Sequence, residues 1–444
     1  MDVDLLVLGA GMAGLTAAAQ GAQSGLSVFL AEKAETIGGA AALSEGYIWT
    51  APTLEALQAE DPDVDPVLAR VLADEFLPAV DWVRELGVDT GALIEGIYRF
   101  GHGYRIDIAD YIDRCLSVVE GAGGVVRTGL ATRELLLEDG GVAGAVLETA
   151  DGGTLSVRAA ATVLATGGFQ GSAELRGDRI SPAARALLLR ALPESDGDGL
   201  RLAESAGADF ADGKQGFYGH LVPSPLDELA VEDFVSIAVL HSGTSLLFNV
   251  AGDRFTDESL GDHENNQVVF EQPEGRALLV ADERTRREHF ATAYIPGMQS
   301  YDKFALAESR GARVASAPTL PGLLEQVARW GYDADRIAET VDRYNSLVRN
   351  APEKLSPPSA FNGKPVEEAP FFALEVQSTI TFAYGGVRVD AQARVLRDGK
   401  PIPGLYATGA DIGGIFTRAY AGSLSRGLVF GRRAALTAAS TGRT

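Results

Sequence analysis

The 444-residue sequence predicts an α/β architecture built on a parallel sheet, interrupted by an inserted second domain. Three observations carry that prediction. A strand, a glycine turn, a helix and a second strand fill Leu5 to Glu32. Apolar strands ending in Ala-Thr-Gly recur at Thr162 to Gly167 and Pro401 to Gly409. Between about Asp209 and Ala369 the strand–helix alternation gives way to polar, aromatic, loop-rich sequence. A chain of this length outgrows one core, so two domains are expected: a discontinuous one, 1–208 with 370–444, and an inserted α+β one, 209–369.

The opening unit is the most informative. Leu5-Leu-Val-Leu8 is a short buried strand, Gly9-Ala-Gly-Met-Ala-Gly14 follows, an Ala-rich helix begins, and Val28-Phe-Leu-Ala31 ends at Glu32. Each glycine has a physical task. Gly9 permits the tight turn, Gly11 lets backbone approach a pyrophosphate, and Gly14 lets the helix pack on the strand. The helix start offers N–H groups to the anion. Glu32, eighteen residues beyond Gly14, is placed to accept hydrogen bonds from both ribose hydroxyls of an adenosine. The unit therefore predicts a dinucleotide-binding domain.

Composition narrows the partners. With 61 acids against 38 bases the net charge is −23, a field that repels nucleic acid and anionic lipid but still allows an anionic ligand in an arginine-lined pocket. Cys115 is the one cysteine, which excludes an internal disulfide and multi-cysteine metal sites. The start Met-Asp-Val-Asp runs straight into a strand, and no apolar run is long enough to span a bilayer. A cytoplasmic location and no metal are the expectations.

After Glu32 the run Gly38-Gly-Ala-Ala-Ala-Leu-Ser-Glu-Gly46, followed by Ile48-Trp49, is similar to the loop that carries the pyrophosphate toward the ring in FAD-dependent dehydrogenases of the fumarate reductase/succinate dehydrogenase superfamily. Further stretches resemble the same superfamily. They are Thr162 to Phe169, Ser195-Asp-Gly-Asp-Gly199, Phe248 to Glu258 with its Arg-Phe-x-x-Glu, and at the C-terminus Thr381 to Asp390, Pro401 to Gly409 and Leu428 to Arg432. Its ketosteroid and tricarballylate dehydrogenase branches are the nearest in flavour. The resemblance implies a Rossmann-like, glutathione-reductase-type FAD-binding domain with the inserted segment as a cap over the flavin. Because no histidine lies in the 38–46 loop, it also implies non-covalent FAD.

The implied cofactor contacts start with Gly9, Gly11, Ala13, Gly14, Glu32 and Lys33 in the first unit. Gly39, Ala40, Ser44, Glu45 and Gly46 come from the loop, and Ala131 lies against the adenine. Ala165, Thr166 and Gly167 pass close to the FAD, and Asp198 close to the flavin. Ser423 and Leu424 open the final helix toward flavin O2, where free N–H groups stabilise negative charge. Ala410 stands where relatives often carry a ribityl-binding Glu or Asn, and Asp411 is expected to offset it. Between these landmarks, Pro66 to Leu86 has the apolar spacing of a core helix. Val142 to Glu148 and Thr154 to Val157 read as a hairpin, and Cys115 is expected buried and inert on a helix from Ile108 to Glu120.

For catalysis, counting back from Leu428-Val-Phe-Gly431 puts Arg418 at the register of the arginine that clamps a substrate carboxylate in fumarate reductases, with Tyr420 as rival or partner. His220, in Phe217-Tyr-Gly-His-Leu-Val-Pro223, falls near a substrate-contacting histidine. Asp262 stands where those enzymes carry their proton-donating arginine, whose relay partners fall near Ala238 and His241. The resulting expectation is an FAD oxidoreductase that interconverts C–C and conjugated C=C bonds beside a carboxylate or carbonyl, with hydride passing through flavin N5. Two rivals remain. One is a ketosteroid-dehydrogenase-like enzyme using Tyr384 or Tyr420 as acid and base. The other is a flavoprotein that only relays electrons. No second GxGxxG unit is visible, so a small-molecule substrate is paired with a quinone, a partner protein or dioxygen as electron partner.

Overall fold

The computed structural model describes residues 1–211, 216–295, 297–361 and 363–441. The opening motif forms β1 (Asp2–Leu8), α1 (Met12–Gln23) and β2 (Val28–Ala31). The chain divides into two compact units, 1–186 with 191–217 and 382–444, and 187–190 with 218–381.

In the first unit β1 pairs in parallel with β2, Leu5 opposite Val28 through Leu8 opposite Ala31. Beyond β2 lies β3 (Val125–Arg127), and on the other side of β1 come β4 (Thr154–Leu164) and β5 (Lys400–Ala407), all parallel. Leu5 to Leu8 are at most 1% exposed, as expected where a parallel sheet is covered on both faces. The strand Gly141–Thr149 runs antiparallel to β4, from Gly144 opposite Arg158 to Glu148 opposite Thr154, forming the predicted hairpin. The final helix, α2 (Ser423–Thr441), packs closely on α1. A side chain at Gly431 would stand 2.6 Å from the Ala13 carbonyl oxygen. Cys115 is fully buried and burial pushes its thiol up to about 12, which makes it inert.

The second unit is a six-stranded, largely antiparallel sheet whose central strand is Phe371–Ile380. The sequence reading takes the chain back to the first domain at Phe371. Instead, that strand pairs with Leu188–Leu189, Leu221–Pro223, Arg276–Asp282 and Val314–Ala317. Alternation sorts the two faces: Leu246, Phe248, Leu278 and Val280 pack on helices Leu320–Val327 and Ala334–Asn350, while Leu247, Leu279 and Ala281 meet Val269, Phe290 and Phe304. Among the described residues no helix is long and apolar enough to cross a membrane.

Candidate active site

The glycines of the first turn separate protein requirements from ligand requirements. Gly9 has φ +105°, and a side chain there would sit 2.2 Å from the Ala165 carbonyl oxygen; one at Gly14 would sit 1.8 Å from that of Gly9. Backbone packing thus demands both. Gly11 differs: its φ is −77°, and the nearest atom to an added Cβ is 3.8 Å away. The protein leaves that space open at the start of α1, which has no side-chain cap and no acid in its first turn. Such a cradle fits a pyrophosphate.

Glu32 is held in place by two backbone donors. Its carboxylate accepts the Ala10 N–H at 2.6 Å on one oxygen and the Ala34 N–H at 2.8 Å on the other. A carboxylate has about four acceptor positions, so two remain for ribose hydroxyls. Gly38 and Gly39, at φ +114° and +51°, lie against Gly11, and Ala40 continues the short helix Gly39–Leu43. These residues fit FAD.

Several other expected contacts are engaged with one another. The Ser44 hydroxyl donates to Ala41 O at 2.7 Å and accepts the Gly46 N–H at 3.2 Å, while Glu45 pairs with Arg105 at 2.8 Å. Lys33 binds Asp198 at 2.7 Å and Asp196 at 2.9 Å. Asp411 is buried, which raises its pKa, and its two oxygens accept the Thr166 N–H at 2.5 Å, the Thr166 hydroxyl at 3.0 Å and the Gly168 N–H at 3.1 Å. It therefore holds the Ala165–Gly167 turn in place. Ala131 lies on the strand Leu130–Glu138, opposite Glu148, and Ala13 faces α2.

At the start of α2 the Ser423 N–H donates to the Tyr420 hydroxyl at 3.1 Å, with Leu424 next in the helix. Tyr420, Tyr384, Phe382 and Phe416 form a ring cluster with centroids 5.8–5.9 Å apart, and Trp49 adds to it 5.3 Å from Tyr420. Arg418 has an exposed side chain on a loop pinned by Asp61, which accepts the Thr417 and Arg418 N–H groups at 2.7 and 3.0 Å. A different arginine is buried here. Arg426 is 0% exposed, lies 4.9 Å over Phe382 and 5.1 Å over Phe416, and donates once, to Ser423 Oγ at 3.3 Å. Burial lowers its pKa to about 10, so it stays charged at neutral pH.

In the second unit His220 and Asp262, separate readings in sequence, form one array. His220 Nδ1 meets Asp262 Oδ2, Nε2 meets the Tyr218 hydroxyl at 2.8 Å, and Asp262 also accepts the Leu221 N–H at 3.3 Å. Burial, reinforced by Arg190, pulls the imidazole pKa below its ordinary value against the pull of Asp262. A neutral ring then donates from Nδ1 and accepts the tyrosine proton at Nε2, an arrangement able to move a proton along Tyr218, His220 and Asp262. Nearby, burial lowers Lys303 to about 8 and His241 to about 4. The Arg-Phe-x-x-Glu segment is a buried clasp: Arg254 forks onto Glu258 at 2.6–2.9 Å.

Sequence reasoning passed over Arg426 and Tyr218. Tyr218 had a signal, since it stands two residues from His220. For Arg426 the signal was a cation in the first turn of a helix, against the helix dipole.

Comparison with known proteins shows the family and the fold. A family described as "FAD binding domain" matches residues 4–89 and 111–424. A fumarate reductase (cytochrome) of Shewanella frigidimarina is 28% identical over 470 residues, covering 97% of this chain and 76% of that protein. A urocanate reductase of Eggerthella lenta is 26% identical over 475 residues, covering 99% and 75%. In fold, the chain is similar to 3-ketosteroid-delta4-(5alpha)-dehydrogenase from Rhodococcus jostii RHA1, with TM-score 0.78, 22% identity and coverage of 99% and 97%.

Proposed function

The chain belongs to the FAD binding domain family and is an FAD-dependent oxidoreductase; on that premise we propose that it interconverts a C–C single bond and a conjugated C=C bond beside a carboxylate or carbonyl. The observation that carries this reading is likeness over nearly the whole chain to two reductases named for unsaturated acids, fumarate and urocanate. FAD, when bound, supplies a hydride acceptor or donor at N5. The chain's own residues do the rest. Gly11 and the start of α1 receive the pyrophosphate, and Glu32 the ribose. The Ser423 N–H being taken by the Tyr420 hydroxyl, the start of α2 at Ser423 and Leu424 offers the Leu424 N–H and the positive helix end to the flavin pyrimidine oxygen.

Arg418 is the proposed clamp for a substrate carboxylate; its planar fork suits two parallel hydrogen bonds. Tyr218, with His220 and Asp262 behind it, is the proposed route for the proton. A second reading is favoured by the cluster of Tyr384, Tyr420, Phe382 and Phe416, whose apolar faces suit a ketone ring better than an acid. The FAD is proposed to be non-covalent, the electron partner a quinone, a protein or dioxygen, and the location cytoplasmic.

The test is anaerobic. Dithionite-reduced holoenzyme is mixed in turn with fumarate, urocanate, cinnamate and 4-androstene-3,17-dione, and flavin absorbance is followed. Return of the oxidised spectrum with a conjugated acid supports the first reading, and with the steroid alone the second. Succinate, dihydrocinnamate and a saturated ketosteroid test bleaching in the other direction. If no compound moves the flavin either way, while dioxygen still reoxidises it, the proposal fails.

A further inference from the structure

Buried guanidinium groups in this protein are normally surrounded by oxygen. Arg254 has the Glu258 carboxylate and two proline carbonyls, and Arg176 donates to the carbonyls of Gln170, Ala184 and Arg185. Among the described residues Arg426 has neither kind of partner. It is among the largest fully buried side chains, and its Nε and Nη1 have no hydrogen-bond partner among the described residues. Its one bond, to Ser423 Oγ, is long at 3.3 Å. The Tyr420 and Tyr384 hydroxyls, and beyond them Asp411, act on it through space without a hydrogen bond, and the Asp411 oxygens are already taken by Thr166 and Gly168. The phenyl faces of Phe382 and Phe416 offset only part of the desolvation of a full charge.

The location compounds the imbalance. Arg426 is the fourth residue of the 19-residue α2, so its charge adds to the positive end of the helix. Two positive sources thus meet at one helix start, and among the described residues no protein anion answers them at contact distance. An anionic oxygen supplied by a bound molecule is what this arrangement suits.

We propose that Arg426 is the buried cation that stabilises the negative charge carried by the N1–C2=O end of the FAD ring when it is reduced, and so raises the reduction potential of this enzyme. The inference rests on the reading above that the start of α2 faces that end of the ring. A substrate carboxylate would present the same chemistry, but the guanidinium is 0% exposed, with Phe382, Phe416 and Ser423 against it. A diffusible acid would have to displace them. Charge on a fixed ring is stabilised through the low-dielectric interior without contact.

The experiment uses holoenzyme and no substrate. Sulfite adds its sulfur electron pair to flavin N5, and the displaced ring electrons come to rest on N1 and O2, so its Kd reads stabilisation of negative charge there. The two-electron midpoint potential, from dye equilibration, reads the same property independently. Arg426→Met and Arg426→Gln should weaken sulfite binding tenfold or more and lower the potential by about 30 mV, the equivalent of tenfold for a two-electron couple. Arg426→Lys keeps the charge but draws it back on a shorter headgroup, so it should recover part of both, leaving sulfite binding about three- to fivefold weaker than in the parent. Met and Gln variants that hold FAD and stay within twofold of the parent in sulfite Kd overturn the proposal. The same result with loss of turnover only on carboxylate substrates would assign Arg426 to the substrate instead. If Met and Gln variants fail to hold FAD, Arg426→Lys decides: a threefold or larger change in sulfite Kd supports the role, and an unchanged value overturns it. Failure of conjugated acids to reoxidise the flavin would refute the proposed reaction without touching either readout.

Discussion

Replacing Glu32 with alanine tests the cofactor cradle most directly, because the structure separates its two tasks. Internally, the carboxylate holds the Ala10 and Ala34 N–H groups at 2.6 and 2.8 Å. Externally, its remaining acceptor positions are proposed to take two ribose hydroxyls. A hydrogen bond to a charged acceptor contributes about 1.5 kcal/mol, so losing both ribose contacts should cost about 3 kcal/mol, roughly 150-fold in the Kd for FAD. The lost backbone acceptors add about 1–2 kcal/mol of apoprotein destabilisation. Glu32→Gln should fall between, since the amide keeps one acceptor oxygen and turns a donor toward an N–H. Titrating FAD into apoprotein, followed by quenching of flavin fluorescence, gives the Kd, and thermal melting of apoprotein gives the internal cost separately. Should Glu32→Ala apoprotein bind FAD within threefold of the parent, the ribose assignment is wrong. FMN binding serves as control, because it lacks the adenosine and should be unaffected by either substitution.

Arg418→Lys should retain FAD but lose turnover on a carboxylate substrate, and Arg418→Ala should lose about thirtyfold to a thousandfold in kcat/KM, equivalent to about 2–4 kcal/mol for a charge-assisted fork; near-native turnover of the alanine variant would remove the clamp. His241 has its pKa depressed by burial to about 4. Above pH 6.5 it is neutral folded or unfolded, whereas between about 6.5 and 4 only the unfolded chain takes the proton, so stability should fall by about 1.4 kcal/mol per pH unit. Urea midpoints at pH 7 and 5 check this, and His241→Leu showing the same acid slope would contradict it. Asp262→Asn removes the charge behind His220 and leaves one acceptor oxygen for both the His220 Nδ1–H and the Leu221 N–H, which should destabilise the protein by about 1–3 kcal/mol. It should also shift the pH profile of turnover, whereas a purely structural role would leave that profile where it was. Acid precipitation should release FAD rather than FMN, and flavin remaining on the precipitate would point to a covalent link.

The sequence by itself determined what depends on local backbone constraint. A Gly9 at positive φ and a Gly14 pressed on it are requirements of one turn, and they announce the β1–α1–β2 unit without any distant residue. Period-two and helical apolar spacing likewise carry the 141–164 hairpin and the burial of Cys115. Charge partnership was not legible in the same way. Asp411 reaches Thr166 across 245 residues, Lys33 reaches Asp198 across 165, and Asp262 reaches His220 across 42. Periodicity reports which face a residue occupies, whereas a hydrogen bond of about 3 Å depends on where two distant elements are packed. The same reason governs the strand Phe371–Ile380, whose neighbours come from four separate stretches of chain. It also governs Arg426: its place in the first turn of α2 can be read from the sequence, but only the packing of Phe382 and Phe416 over it removes it from water and leaves its charge without an answering carboxylate or carbonyl among the described residues.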